Sequence, residues 1–269
     1  MKEQTNNGCY DSLLKNRDEK IEFYNRVVKY CLQPFIKRYL DIQVIGHEKV
    51  PKEDSCIFVT NHCVYFDGII LGSVLDKKIH GWIAENVFLK RKELYERLEL
   101  IPVKTSTGPN TNTSHEQRNE IMNAYKKTRE LSHFWLRNTS DAIQTTNDGL
   151  AECCIDGNGA VIGLEERKNH SGAANLAYDV DSDSGKSVLV FPVSSWIPKE
   201  HRKKLLIAEG VGGWKSWLYL EKNRKIPFKI YINEGLSSKD YDHKKKLQEE
   251  IRKRQIEGYN LLEQISKSS

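Results

Sequence analysis

The sequence has 269 residues, of which 38% are hydrophobic and 29% are charged, and this length suits one large α/β domain or two small ones. With 42 basic and 37 acidic residues, the net charge of +5 is too small to indicate a nucleic-acid-binding protein, and it suits an anionic ligand or an anionic lipid surface equally well. No stretch approaches the ~18 unbroken apolar residues of a membrane span, and the polar start of the chain lacks the apolar region of a signal peptide. We therefore expect a cytosolic protein, or one held peripherally at a membrane.

The six cysteines form neither a CxxC pair nor another metal-ligand spacing. We therefore expect reduced thiols and no metal site. The basic residues are scattered and no aromatic platform for stacked bases is visible, so we expect no nucleic-acid partner.

The first part of the chain combines a frayed segment, residues 1–17, with a helical pattern over residues 18–40. Apolar residues fall there at three- and four-residue spacing, with basic residues between them. Pro34 is expected to kink this helix or to divide it in two. A basic amphipathic helix lies either on a membrane surface or on the sheet of its own domain, and the width of the apolar stripe favours the sheet.

Beyond residue 40, short β-branched or alternating stretches are separated by helical patterns. The expected strands are residues 41–50, 56–60, 80–84, 100–103, 134–136, 160–164, 187–193 and 228–232. One helix is expected to begin near Phe66, and the others to cover residues 85–99, 116–131, 140–153, 173–178, 199–221 and 241–265. Residues 105–114 and 179–187 are expected to be loops.

This alternation is typical of a single α/β domain with a largely parallel mixed sheet flanked by helices. The chain then divides into residues 1–17, an amphipathic helical segment at 18–45, the α/β domain at 46–240 and a charged C-terminal helix at 241–269.

The stretch Cys56–Leu75 combines a buried strand, a polar turn and an amphipathic helix. His62 and Asp67 stand five positions apart across the turn, and their side chains come within hydrogen-bond reach if the turn winds into the helix. A carboxylate bonded to one ring nitrogen would fix the imidazole tautomer and leave the other nitrogen free to accept a proton, as a general base does. A structural histidine is the alternative, but the position directly after a β-branched strand favours a functional site.

Further landmarks stand in a definite order around this stretch. In chain order they are Val44-x-Gly46-x4-Pro51, Asn61-His62-x4-Asp67, Ile101-Pro102-Val103-Lys104, a strand that ends at Glu165, and Phe191-Pro192-Val193. In this order the sequence resembles the glycerolipid acyltransferase family, the glycerol-3-phosphate and lysophosphatidic acid acyltransferases with an HxxxxD motif. The resemblance covers roughly residues 20–235.

The resemblance implies that His62 is the general base that deprotonates the acceptor hydroxyl, and that Asp67 orients it. The family's second block ends in an arginine that binds the acceptor phosphate, and Lys104 stands in its place. Arg137, after Phe134-Trp135-Leu136, is the alternative phosphate ligand.

The family's third block normally reads Phe-Pro-Glu-Gly-Thr-Arg, and here it reads Gly163-Leu164-Glu165-Glu166-Arg167-Lys168. Glu165, Arg167 and Lys168 are thereby implied in binding the acceptor phosphate. By comparison with the family, residues near 105–139 are expected to be an insertion.

The resemblance further implies a glycerol-3-phosphate acyltransferase-like fold and an O-acyltransferase of phospholipid biosynthesis. Such an enzyme moves a fatty acyl group from acyl-CoA or acyl carrier protein to a hydroxyl of a glycerol phosphate or lysophospholipid, without a further cofactor. The alternative is a catalytically weak or inactive lipid-binding, membrane-associating protein on the same scaffold, which the altered third block and the basic N-terminal helix suggest. The HHxxxDG motif of chloramphenicol-acetyltransferase-like enzymes is excluded, because Cys63 stands where its second histidine belongs.

Overall fold

The computed structural model describes residues 16–61, 67–75, 77–104, 115–146, 172–185, 187–198, 200–201 and 213–268. In this part of the chain, one sheet contains β1 (Leu40–Ile45), β2 (Cys56–Thr60), β3 (Ile79–Ala84), β4 (Ile101–Val103), β5 (Ala142–Thr146), β6 (Leu189–Trp196), β7 (Ile226–Ile232) and β8 (Leu236–Ser237). The strand order is β1-β7-β6-β2-β5-β3-β4, and β8 pairs with the start of β6.

The sheet is mixed but largely parallel, as the sequence predicts. The neighbouring strands β4, β3, β5, β2 and β6 are parallel, whereas β7 is antiparallel to β6, and β1 is parallel to β7. The last residues of the five parallel strands therefore lie at one end of the sheet, here called the carboxyl end. Their first residues lie at the opposite, amino end.

Helices cover both faces of the sheet. They are α1 (Arg17–Arg26), α2 (Gln33–Tyr39), α3 (Asp67–Val74), α4 (Glu85–Lys90), α5 (Lys92–Arg97), α6 (His115–Asn138), α7 (Gly172–Ser184), α8 (Gly213–Lys222) and α9 (Lys244–Ser268). In β2, which is buried throughout, Phe58 faces the core shared with α2, α3 and α8, whereas Ile57 and Val59 face the core shared with α6, α7 and α9. A central parallel strand covered on both faces accounts for this continuous apolar run.

None of the helices in the described ranges is both long enough and apolar enough to cross a lipid bilayer.

The N-terminal helix is divided as Pro34 suggests. A π-helical turn, Val27–Leu32, separates α1 from α2, and Pro34 is the second residue of α2. Proline has no N–H for the preceding turn, and a wider turn at this place accommodates the missing hydrogen bond. Ile36 and Tyr39 of α2 are buried in the core, so this part of the helix packs on the sheet.

A buried polar network joins α1 to the amino end of the sheet. Asp141, which precedes β5, accepts hydrogen bonds through Oδ2 from Arg17 Nη2 and His80 Nε2, both at 2.8 Å. His80 is fully buried and stacks on Trp135, and its Nδ1 lies 3.0 Å from the Glu99 carbonyl oxygen. Because both ring nitrogens face acceptors, both bonds form only when the imidazole carries two protons.

A second carboxylate completes this network. Glu99 accepts a hydrogen bond from Lys78, and its other oxygen lies 3.4 Å from Lys20 of α1. The ammonium of Lys78 also lies 5.8 Å from the ring centroid of Tyr24. Helix α1 is thus held by two of its own cations against two buried carboxylates of the sheet.

Two predicted elements are wrong. Residues 134–136, expected as a strand, lie in the last turns of α6, where Trp135 and Leu136 belong to the core. Residues 140–153, expected as a helix, contain β5, which pairs with β2 and β3. Since Gln144 donates a hydrogen bond to Thr60 Oγ1 at 2.8 Å, a polar residue is satisfied inside the sheet.

The boundaries of other elements also differ. The expected loop at 179–187 begins later, because α7 continues to Ser184 while Asp179 pairs with Arg129 of α6. Helix α6 occupies residues 115–138 of the expected insertion and packs on the sheet, so this helix is part of the α/β domain. The expected strand at 160–164 and the expected loop at 105–114 lie outside the described residues.

Candidate active site

Polar residues follow several parallel strands at the carboxyl end of the sheet. Asn61 follows β2, Glu85 follows β3 and Lys104 follows β4. In open α/β sheets, ligands bind in the crevice outside the carboxyl ends of the strands. The structure therefore puts the candidate site at this end of the sheet.

Asn61 is a buried residue that extends the pairing of β2 with β6. The last backbone pair of these strands is Thr60 with Val193. Beyond it, Asn61 Nδ2 donates to the Ser195 carbonyl oxygen at 3.0 Å, and the Ser195 N–H donates to Asn61 Oδ1 at 2.7 Å. The side chain thus replaces a backbone pair and fixes the residue directly before His62.

A second polar contact joins β2 to β5 at the same level. Thr60 Oγ1 accepts the hydrogen bond from Gln144 and lies 3.4 Å from the Thr145 carbonyl oxygen. Both Thr60 and Gln144 are buried. The end of β2 is consequently held from both neighbouring strands, as the rigid support of a functional residue requires.

The HxxxxD motif spans the connection between β2 and α3. Strand β2 ends at Thr60, as predicted, and α3 begins at Asp67, one residue after the expected Phe66. Ile70 and Leu71 of α3 are fully buried in the core, which fixes the helix on the sheet. His62 lies outside the described residues, and Asp67 is described as the first residue of α3.

Lys104 follows β4 and belongs to the same end of the sheet. Its Nζ lies 2.9 Å from Oε2 of Glu120 on α6, in a pair that is open to solvent. The hydrogen bond to Glu120 and the charge of this carboxylate raise the pKa of Lys104. Thr128 of α6 donates to the Pro102 carbonyl oxygen at 2.8 Å, which holds the helix that carries Glu120 against β4.

Arg137 lies at the opposite, amino end of the sheet. The preceding residue, Leu136, accepts a hydrogen bond through its carbonyl oxygen from Ser55 Oγ at 2.6 Å, and Ser55 stands directly before β2. Arg137 itself is exposed in the last turn of α6. The structure thus brings Lys104, and not Arg137, to the end of the sheet where Asn61 lies.

The predicted third block falls outside the described residues, with Glu165, Arg167 and Lys168. Strand β5, which lies between β2 and β3, was not predicted. In the sequence, β5 is followed by Asn147-Asp148-Gly149, which also lie outside the described residues. The β-branched pair Thr145-Thr146 after Ala142-Ile143 was the signal that could have indicated this strand.

A comparison with protein families identifies the class. The family model Acyltransferase matches residues 41–196, from β1 to the end of β6. This range is more than half of the chain and includes β2, the HxxxxD motif and Lys104. The chain therefore belongs to the Acyltransferase family, and the resemblance inferred from the sequence is confirmed.

A solved structure shares the fold. The crystal structure of the 1-acyl-sn-glycerophosphate (LPA) acyltransferase, PlsC, from Thermotoga maritima is similar with a TM-score of 0.59 and 17% sequence identity. The similarity covers 92% of this chain and 83% of that chain. The comparison with curated proteins finds no match.

Proposed function

We propose that this acyltransferase moves a fatty acyl group from a thioester, acyl-CoA or acyl carrier protein, to a hydroxyl of a glycerol phosphate or lysophospholipid. The observation that carries the proposal is that β2 ends at Thr60 and α3 begins at Asp67, so the HxxxxD stretch connects them at the carboxyl end of the sheet, inside the range that the family model matches. The fold likeness to an LPA acyltransferase supports a glycerolipid acceptor.

In this mechanism His62 accepts the proton of the acceptor hydroxyl while its oxygen attacks the thioester carbonyl carbon. The carbon–sulfur bond then breaks, and the leaving thiolate takes the proton from His62. Asp67 orients the imidazole and stabilises its protonated form. No covalent acyl-enzyme is required, and a positioned base of this kind contributes roughly 10²–10⁴-fold.

Lys104 is the proposed ligand of the acceptor phosphate. In the free protein its charge is paired with Glu120 in a solvent-exposed contact, and such a pair is weak. A phosphate carries more charge than one carboxylate and offers stronger acceptor oxygens, so it can displace Glu120. Holding the phosphate there would keep the acceptor hydroxyl near His62, which lowers the entropic part of the barrier.

The location of β5 changes the candidates for the third block. An acid followed by glycine, as in the family's Glu-Gly, occurs two residues after the end of β5 as Asp148-Gly149, whereas Glu165 stands further along the chain. We therefore propose Asp148 as an alternative to Glu165 for the acidic residue of the third block. The variants Asp148→Asn and Glu165→Gln distinguish the two alternatives, because the variant at the functional position should have a raised KM for the acceptor.

The proposed reaction is tested with labelled acyl-CoA and lysophosphatidic acid, followed by thin-layer separation of the products. His62→Ala should reduce transfer about a thousandfold or more, and Asp67→Asn should lower kcat much more than it weakens acceptor binding. His47→Ala is the matched control, because His47 is exposed at the surface and should leave transfer unchanged. Unchanged transfer in His62→Ala would refute the mechanism.

The role of Lys104 has its own matched pair of variants. Lys104→Ala should raise the KM for the acceptor about tenfold or more, as expected when a charged hydrogen bond to phosphate is lost. Arg137→Ala removes an exposed cation at the other end of the sheet and should leave this KM unchanged. If Arg137→Ala raised this KM and Lys104→Ala did not, Arg137 would be the phosphate ligand, and the acceptor would not bind at the carboxyl end of the sheet.

A contact with a lipid surface is proposed for the N-terminal helices. Tyr30 is 67% exposed, and its neighbours Arg26, Lys29 and Cys31 are also exposed. Exposed aromatic and basic side chains on one helix suit the interface of an anionic bilayer. Sedimentation with phosphatidylglycerol vesicles should bring down the wild type and much less of Lys29→Glu. Vesicle binding without acyl transfer would instead support the lipid-binding alternative.

A further inference from the structure

Two donors without acceptors lie side by side at the carboxyl end of the sheet. Trp196, the last residue of β6, is directly opposite Lys229 of β7 in the antiparallel pair. Lys229 is only 9% exposed, and the indole Nε1 of Trp196 is buried. Opposed residues of neighbouring strands have their side chains on the same face of the sheet.

Neither donor has an acceptor among the described residues. Trp196 Nε1 makes no hydrogen bond. The ammonium of Lys229 lies 5.7 Å from the ring centroid of Trp196, and the structure gives it neither an ion pair nor a hydrogen bond. The other buried lysine among the described residues, Lys78, differs in this respect, because it is paired with the carboxylate of Glu99.

Burial of the Trp196 N–H without an acceptor is unfavourable. The nearby ammonium of Lys229 has no counterion among the described residues, and the attraction to the face of an indole satisfies it only in part. Buried polar groups in native proteins almost always have partners, so the unpaired Trp196 N–H beside an ammonium without a counterion indicates an acceptor that the described residues do not supply.

The surroundings restrict what this acceptor can be. Two pairs further back along the strands, and so on the same face of the sheet, Ser194 and Tyr231 pack against α9 so closely that a Cβ at Gly258 would lie 2.7 Å from each of them. Helix α9 continues beyond Gly258 with Tyr259 and Leu262, which are buried. An acceptor at Trp196 and Lys229 is therefore partly shielded from water, where charge-assisted hydrogen bonds are strong.

We propose that Lys229 and Trp196 form a binding site for the phosphate group of a ligand. Nε1 belongs to the ring over which the ammonium lies, so one oxyanion can reach both donors through different oxygens at about 2.7–2.9 Å. The site adjoins the candidate active site, because the backbone of Ser195, the residue before Trp196, is bonded to Asn61. The choice of a phosphate rests on the proposed function, since each proposed substrate carries a phosphate group. The choice of an anion rests instead on the two adjacent donors, Trp196 Nε1 and the Lys229 ammonium.

The test observes the indole N–H of Trp196 directly. Protein labelled with ¹⁵N at tryptophan is titrated separately with inorganic phosphate, glycerol 3-phosphate and coenzyme A, at constant ionic strength set with chloride. Trp196→Phe assigns the resonance. A saturable downfield shift of this resonance is expected, and the compound that produces it at the lowest concentration shows whether the acceptor or the donor supplies the phosphate.

Variants of the lysine test the same site. Lys229→Met should weaken binding about tenfold or more, because a charge-assisted bond is lost, whereas Lys222→Met, which removes an exposed lysine, should not. Without phosphate, Lys229→Met should melt at about the same temperature as the wild type, since the structure gives the ammonium neither an ion pair nor a hydrogen bond to lose.

The proposal is overturned if no titrant shifts the Trp196 resonance in the wild type, or if the shift survives in Lys229→Met. The first result is decisive even if the variant fails to fold, because it needs the wild type alone. Binding is measured without turnover, so a chain that lacks acyl transfer but binds phosphate here would refute the proposed function and not this site.

Discussion

Replacement of Asp141 by asparagine should destabilise the protein by about 2 kcal/mol or more at pH 7. Asp141 is 7% exposed and accepts hydrogen bonds from His80 and Arg17. Asparagine keeps the shape of the side chain but removes the negative charge that faces Arg17 and His80. Since Arg17 belongs to α1, the substitution also weakens the attachment of this helix to the sheet.

The magnitude follows from the pKa of Asp141. Burial is the largest single influence and raises this pKa, but the hydrogen bonds and charges of His80 and Arg17 together outweigh it and lower the pKa from 3.8 to about 2. Each pKa unit corresponds to about 1.4 kcal/mol, so the ionised form contributes about 2 kcal/mol to folding. Because the pKa is lowered in the folded state, this stability is fully present above pH 3.8 and is lost as the pH falls through about 2.

The assay is urea unfolding of the wild type and of Asp141→Asn at several pH values from 7 downward. The difference in unfolding free energy should be constant above about pH 5 and should shrink below pH 4. Asp242→Asn is the control, because Asp242 pairs with Lys246 at the surface and should contribute little at any pH. Parallel curves for wild type and Asp141→Asn down to pH 2.5 would refute the reasoning.

Three further changes have defined outcomes in the same unfolding assay. Asn61→Ala should cost about 2–3 kcal/mol, since it leaves the buried N–H and C=O of Ser195 without these partners. Gly46→Ala should cost more than 2 kcal/mol, because φ is 86° and a Cβ would lie 2.2 Å from the Ile232 carbonyl oxygen. Gly185→Ala also has a positive φ, of 64°, but meets no atom within 4 Å, so it should cost only about 1 kcal/mol. Equal losses for the two glycine variants would show that the clash at Gly46 is relieved by movement.

The apolar strands were predicted from the sequence, and the polar strand β5 was not. The buried run Cys56–Thr60 and the stretch around Phe228 have the composition of strands that are covered on both faces, and both are found. Strand β5 was not predicted, because the polar residues Gln144 and Thr145 suggest a surface segment. Their hydrogen bonds are made across the sheet, to a strand far away in the sequence, and no local pattern shows such a partner.

The candidate site was predictable as far as local sequence determines it. The strand that precedes His62 and the helix that begins at Asp67 follow from the pattern of residues 56–75. The choice between Lys104 and Arg137 depends instead on which end of the sheet each residue reaches. That choice required the direction of α6. The sequence did not show that this helix reaches residue 138, because the three apolar residues at 134–136 were interpreted as a strand.

Strand β1 is completed by a strand that is synthesised much later. Leu40 at the start of β1 is registered with Ile226 at the start of β7, and β7 is the strand neighbour of β1 in the described sheet. A ribosome that adds about 5–20 residues per second needs on the order of ten seconds to make the intervening chain. For that time β1 remains without its strand partner in the sheet. Nascent chains that stop before residue 226 should therefore be retained by holdase chaperones, and chains that extend through β7 should be released.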